Sequence, residues 1–362
     1  MALPARDFAG PEPIDWRLAQ RIARSVAGRD HFADSYLAAS LTPDFAAATA
    51  EAESAVADYT GLRAPDRATA EVVDRAGWVN ANVRSMQRML APLTDRVAER
   101  MARSPFAPVG RRVAGTELGV LLGYIAQRVL GQYDLLVPDE DGAPTDDRVY
   151  YVGANVLGLE KRFAFRPHDF RLWIALHEVT HRAQFTGVPW LRDYFLAQVH
   201  ELMIGIEPDP GTVFAAIGRA ADAIRAGKNP MDERGLMGLF ANDEQRAAMD
   251  RMQALMSLLE GHGNAVMNHL GEQMLDGQGR MATVLSARRN VRGPTALFHK
   301  LIGLDMKMRQ YEVGEAFVEG VAREAGFRAL DAAWAAPESL PTLAELVDPV
   351  AWLDRVRSVA VQ

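Results

Sequence analysis

The sequence predicts a mainly α fold, a helical bundle with one small β element. Three observations predict it. Over most of the 362 residues, apolar side chains recur at three- and four-residue intervals, the spacing of a buried helix face. Clean apolar–polar alternation is scarce. One run alone, RVYYVGANVLG (148–158), concentrates the β-branched and aromatic residues that favour a strand.

In chain order, helices are expected at about 15–27, 44–59 and 67–103, punctuated by Pro65, Pro105 and Pro108. The small-residue-rich stretch 111–131 suits a closely packed helix. From Asp134 the pattern changes through DLLVP and the turn-rich DEDGAPTDD to the predicted strand. The segment HDFRLWIALHEVTHRAQF (168–185) reads as a helix with Asp169 as its N-cap. Its buried side carries Phe170, Trp173, Ile174, Leu176, Val179 and Thr180. Gly187 and Pro189 end it. Further helices are expected at about 190–204, 211–226, 243–271, 281–290 and 294–325. The length is about two domains' worth. The division falls near 130, with a helical region 1–130 packed as one compact unit against a region 131–362.

Hydrophobic residues at 49% and charged residues at 24% are the balance of a globular chain that folds. The net charge of −7 comes without a basic block, which argues against nucleic acid as a partner. The absence of cysteine removes disulfides, thiolate nucleophiles and cysteine metal sites, and fits the cytoplasm. It leaves histidine and carboxylates as metal ligands. No signal peptide and no membrane span are expected, since no stretch reaches about 18 apolar residues.

The chemistry concentrates in HEVTH, residues 177–181. Residues four apart share a helix face, so His177 and His181 can aim an imidazole nitrogen at one zinc ion from about 2.0–2.1 Å. Glu178 is turned from His177 by about 100°, beside the metal but not bound to it, where a general base takes a proton from water. With 8 histidines and 21 glutamates in 362 residues, random placement yields this pattern about 0.01 times per chain. The competing explanation is a pair of hydrogen-bonded histidines on an amphipathic helix. The strongly apolar surroundings argue against it, because buried polar rings need a reason to be there.

A catalytic zinc takes a third protein ligand and keeps one position open. Metzincins use a further histidine six residues on, preceded by a glycine; Gly187 and Gln184 stand there, which excludes that class. A carboxylate remains. Glu260, in SLLEGHGNAVMN, is favoured over Glu201, because it ends an apolar run and precedes Gly-His-Gly, where a second backbone can approach. His262 is a weaker alternative. An oxyanion needs a donor beyond the metal, and Arg309 and Tyr311 of MKMRQYEVG can offer charge and a hydroxyl, against an ordinary solvated arginine and half-buried tyrosine. Gly153 of the predicted strand would let an extended peptide pair along its edge, unless the strand is simply core.

With HEVTHRAQF, VPWLRDY, LLEGHGNAVMN and KMRQYEVGEAFVEGV, the chain resembles a family of bacterial zincin-like metalloproteases, often catalogued only as associated with deazaflavin-coenzyme biosynthesis. The resemblance runs from about Trp16 to LPTLAELVDPVAWLDRV and implies a mainly helical zincin fold. The metal histidines and the catalytic glutamate carry over onto His177, His181 and Glu178, and the glutamate of the EGH run onto Glu260. Asn268 stands where the family pattern leads one to expect aspartate. No motif here carries the deazaflavin association. The expected function is therefore a zinc-dependent hydrolase of gluzincin type with one zinc per chain, acting on a peptide or small amide. Its rivals are a closed structural zinc and a metal-free helical scaffold.

Overall fold

The computed structural model describes residues 12–33, 35–101, 106–135, 147–204, 243–289 and 304–360. By internal contacts the chain groups into two units, Met1–Gly187 with Leu270–Gln278, and Val188–His269 with Gly279–Gln362.

The first unit is built around a helix pair and a small sheet. Helix α1 (Trp16–Ala27) begins where the Asp15 side chain accepts from the Leu18 N–H at 2.9 Å, and it stops at Gly28, whose φ of 72° is the left-handed region that favours glycine. It buries Trp16, Ala19, Ala23 and Ala27, one helical stripe. Helix α2 (Tyr36–Thr60) tolerates Pro43 inside it, starts earlier than the predicted 44, and closes on Gly61 at φ 75°. Strand β1 (Thr69–Val73) precedes α3 (Arg75–Met101), so the helix expected over 67–103 begins with a strand. Its TAEVV pairs in parallel with a partner about eighty residues on, which local periodicity cannot reveal.

Helix α4 (Ala107–Ala126) presses its small residues onto α1. A Cβ on Gly115 would come within 2.5 Å of the Asp15 carbonyl oxygen, and one on Gly119 within 2.6 Å of that of Ala19. The expected small-residue packing is present, with the helix ending five residues sooner than 131 because the chain turns into β2 (Gly131–Tyr133). Strand β3 (Arg148–Val152) is the middle of the sheet, in the order β1-β3-β2, with β2 antiparallel to it. The strand expected over 148–158 stops at Val152, and α5 (Gly153–Phe163) follows at once. Val156, Leu157, Leu159 and Glu160 are buried on it, a helical spacing, while Gly153 lies so close to α2 that a Cβ would meet Leu41 at 2.7 Å. Both edges of β3 are covered, so the proposed peptide-pairing edge at Gly153 is corrected: that glycine starts a helix.

Helix α6 (Pro167–Gly187) carries the HEVTH run. Pro167, with no N–H to satisfy, opens it, and Asp169 falls in the first turn rather than at the cap. All six residues expected on its buried side are buried. Two arginines on α6 are also fully enclosed. Arg171 forms a fork onto Glu160, at 2.8 and 3.0 Å, and reaches Asp44 of α2; Arg182 binds Glu53, at 2.6 Å, Asp147 and the Asp66 carbonyl. Paired buried charges hold a helix at one rotation, because any slip leaves carboxylates desolvated and unpaired.

The second unit holds α7 (Leu191–Ile204), α8 (Asp243–Met274, through His269), α9 (Gln278–Arg289, from Gly279) and α10 (Leu304–Ala325). The helix expected at 211–226 and the first part of that at 294–325 lie outside the described residues. After α10 come 3-10 turns at Phe327–Trp334 and Pro337–Ser339, then α11 (Leu343–Leu346) and α12 (Pro349–Ala360). Thr342 and Glu345 form a reciprocal cap on α11, and Arg355 of α12 grips Glu345 at 2.6 Å. No helix among the described residues is long and apolar enough to cross a membrane.

Candidate metal centre

Four residues apart on α6, His177 and His181 point their Nε2 atoms at each other across 3.2 Å, with ring centroids 4.6 Å apart and planes at 84°. The spacing fits zinc. Two nitrogens each about 2.0–2.1 Å from one tetrahedral ion stand about 3.3 Å apart. Beyond His181, Gln184 sets its Oε1 3.0 Å from His181 Nδ1.

Between the histidines, Glu178 leaves the helix toward β2 and is 8% exposed. Its Oε2 accepts the Tyr133 backbone N–H at 3.2 Å. Val152 N–H donates to the Leu130 carbonyl and Asp134 N–H to that of Arg148, so strand alternation turns the Tyr133 N–H to the opposite side of β2. Gly131 makes that crossing possible. A Cβ there would sit 2.6 Å from Glu178 Cγ and 2.9 Å from Oε1. The strand is itself held from α3, since Trp78 Nε1 donates to Gln132 Oε1 at 2.7 Å and Gln132 Nε2 to Asn82 Oδ1 at 3.2 Å.

Nearby, Tyr151 bonds Thr49 at 2.7 Å and stacks on Phe45 with centroids 3.9 Å apart. Burial pushes its phenol well above the ordinary tyrosine range; the Thr49 hydrogen bond opposes this, and the Glu178 and Glu53 carboxylates add to it. Tyr151 therefore stays neutral.

Glu260 lies on α8 beside Gly261. A Cβ on Gly261 would overlap the Gly314 carbonyl carbon of α10, and one on Gly314 would overlap the Ser257 carbonyl oxygen. The second backbone expected at EGHG is present, and it is α10. His262 is 1% exposed, its ring stacked on Phe327 at 5.6 Å and edge-on to Trp334 at 5.3 Å, which is the packing of a core histidine. Asn268 Nδ2 donates to Glu315 Oε1 at 2.9 Å. Glu201, the rival ligand, accepts from Arg251 with both oxygens, at 2.7 and 2.8 Å. Arg309 and Tyr311 fall on α10, and their side chains lie outside the described residues.

Sequence reasoning missed Gly131, Tyr133 and Gln184. A three-residue strand leaves no periodic signal. Gln184 did have one, its position one helical turn after His181.

The sequence model of zincin-like metallopeptidases matches residues 14–353. The chain belongs to that family. Membership implies a zinc cofactor and makes the protein a hydrolase of the metallopeptidase class. Among solved structures, a candidate hydrolase with a novel fold from Chloroflexus aurantiacus is 31% identical, with a TM-score of 0.68 over 95% of this chain and 99% of that one. No curated protein matches the chain.

Proposed function

We propose that the protein is a zinc-dependent peptidase of gluzincin type, in which His177, His181 and Glu260 hold one zinc per chain and Glu178 is the general base. The observation that carries this reading is the pair of Nε2 atoms 3.2 Å apart on the helix that also carries Glu178, whose carboxylate is anchored by the Tyr133 N–H. Glu260 is taken as the third ligand from its place in SLLEGHGNAVMN, where the backbone of α10 passes against Gly261. Glu201 is engaged by Arg251, which favours Glu260 further.

Zinc held by these residues supplies Lewis acidity, polarising a scissile carbonyl and acidifying water. Glu178 takes the proton from the attacking water on its carboxylate and delivers it to the leaving amine. Its carboxylate keeps one orientation through the step because the Tyr133 N–H holds Oε2. Stabilising the oxyanion is assigned, on the run MKMRQYEVG, to Arg309 and Tyr311, one offering charge and the other a hydroxyl. The substrate class is an extended peptide or a small amide, and a cysteine-free chain suits the cytoplasm.

The test is elemental analysis of protein prepared without chelators, followed by incubation of the zinc-loaded protein with peptide libraries. Stoichiometric zinc with cleavage supports the proposal. Stoichiometric zinc without cleavage of any library or small amide leaves a structural metal, and no zinc leaves a scaffold.

A further inference from the structure

Gln184 is 0% exposed, on a helix whose enclosed Arg171, Thr180 and Arg182 side chains are each hydrogen-bonded. A primary amide at such a position costs free energy unless it is hydrogen-bonded, and methionine or leucine would fill the same space without that cost. The amide therefore has a task, and the neighbour that defines it is His181, whose Nδ1 lies 3.0 Å from Gln184 Oε1.

We infer that Gln184 is the positioning residue that holds His181 in the tautomer protonated on Nδ1, so that its Nε2 lone pair faces the metal position. The inference rests on the zinc reading above. A neutral imidazole carries one ring proton, and an amide oxygen can only accept. Contact between Gln184 Oε1 and Nδ1 consequently places the proton on Nδ1 and leaves Nε2 deprotonated. That Nε2 is the atom 3.2 Å from Nε2 of His177. Were the amide turned to offer its N–H₂ instead, Nδ1 would be the acceptor and the proton would sit on Nε2, where it excludes an ion.

The rotation of this part of α6 is set independently. Arg182, 1% exposed and bound to Glu53, Asp147 and the Asp66 carbonyl, fixes the turn that carries both His181 and Gln184. Gln184 then sets which ring nitrogen is the ligand, and Arg182 sets where the ring stands. The position is also the one at which the metzincin pattern has glycine, so this chain puts a hydrogen-bonding side chain where that pattern has none.

The experiment combines metal affinity with a direct reading of the tautomer. Long-range ¹⁵N–¹H spectra of the metal-free protein, recorded about two pH units above the ordinary histidine pKa, report which ring nitrogen carries the proton; His181→Ala assigns the signal. His181 should be protonated on Nδ1. Zinc affinity is then measured by chelator competition in Gln184→Met, which keeps the shape and loses the acceptor, and Gln184→Glu, which keeps an acceptor. The methionine variant should bind zinc about 10–100-fold more weakly, the usual cost of losing a ligand's hydrogen-bond partner. The glutamate variant should bind at least as tightly as wild type. A mere packing role would give the opposite order, with methionine tolerated and the buried charge not.

Wild-type zinc uptake with His181 protonated on Nε2, or wild-type affinity in Gln184→Met, overturns this inference and leaves the zinc reading standing. A wild-type protein that takes up no zinc overturns both. If Gln184→Met does not fold, the wild-type tautomer and the affinity of Gln184→Glu decide.

Discussion

The Tyr133 backbone N–H donates to Glu178 Oε2 at 3.2 Å, and two residues earlier on the same strand Gly131 leaves the space that Glu178 Cγ occupies. One short strand thus both orients the carboxylate and makes room for it. A helix alone could present Glu178 between two histidines but could not choose its rotamer.

From this follows an expected effect of Gly131→Ala. The added methyl would lie 2.6 Å from Glu178 Cγ, so either β2 or the carboxylate must shift. A displacement of about 1 Å in a catalytic group can cost about 10²-fold in rate. Elemental analysis should find zinc retained while peptide hydrolysis falls by about that factor. Unchanged hydrolysis would mean that the position of Glu178 is not critical.

Glu178→Gln keeps an oxygen for the Tyr133 N–H and removes the basic carboxylate. Zinc content and melting temperature should remain near wild type, and hydrolysis should fall by about 10²–10⁴-fold. An unfolded variant would make the residue structural, and a fully active one would remove it as the base.

Removing the proposed ligands should act on the metal. Zinc should be lost in both His177→Ala and His181→Ala, and chelator competition should show Glu260→Ala weakened far more than Glu201→Ala. Glu201 forms an exposed pair with Arg251, a contact worth about 1 kcal/mol or less. The reverse ranking would transfer the ligand to Glu201.

Arg182→Leu should destabilise the fold by about 3–5 kcal/mol in urea unfolding, since it strands the Glu53 and Asp147 carboxylates around an apolar side chain. A change below about 1 kcal/mol would show that those carboxylates find other partners.

Ala164 closes α5 at φ 49°, the left-handed region that costs an L-residue about 1–2 kcal/mol. Ala164→Gly relieves that strain while loosening the unfolded chain, so a net gain of about 1 kcal/mol is expected in the same assay. A loss of stability would place the cost elsewhere.

Much of this was legible in the residues. The i, i+4 spacing of His177 and His181 on an apolar helix, with Glu178 between them, depends only on helical geometry, and α6 runs over 167–187 against the expected 168–185. The small-residue stretch that became α4 and the Gly-His-Gly after Glu260 announced close backbone approach for the same reason: glycine has meaning wherever a second chain must come near.

Non-local pairing was beyond reach of the sequence by itself. TAEVV reads as the start of a helix until β3 offers it a parallel partner, and GANVLG reads as strand until α2 packs against Gly153. Gln132, Tyr133 and Gly131 have no pattern that marks them, because three residues are too few for a period. Their role exists only once β3 and Trp78 have carried β2 across Glu178. The sequence alone determined which chemistry the α6 helix could present, because 3.6 residues per turn is a local property. Only the tertiary structure decided how Glu178 and His181 are oriented, because the groups that orient them, the Tyr133 N–H and the Gln184 amide, act through burial and hydrogen bonds that form when the chain has packed.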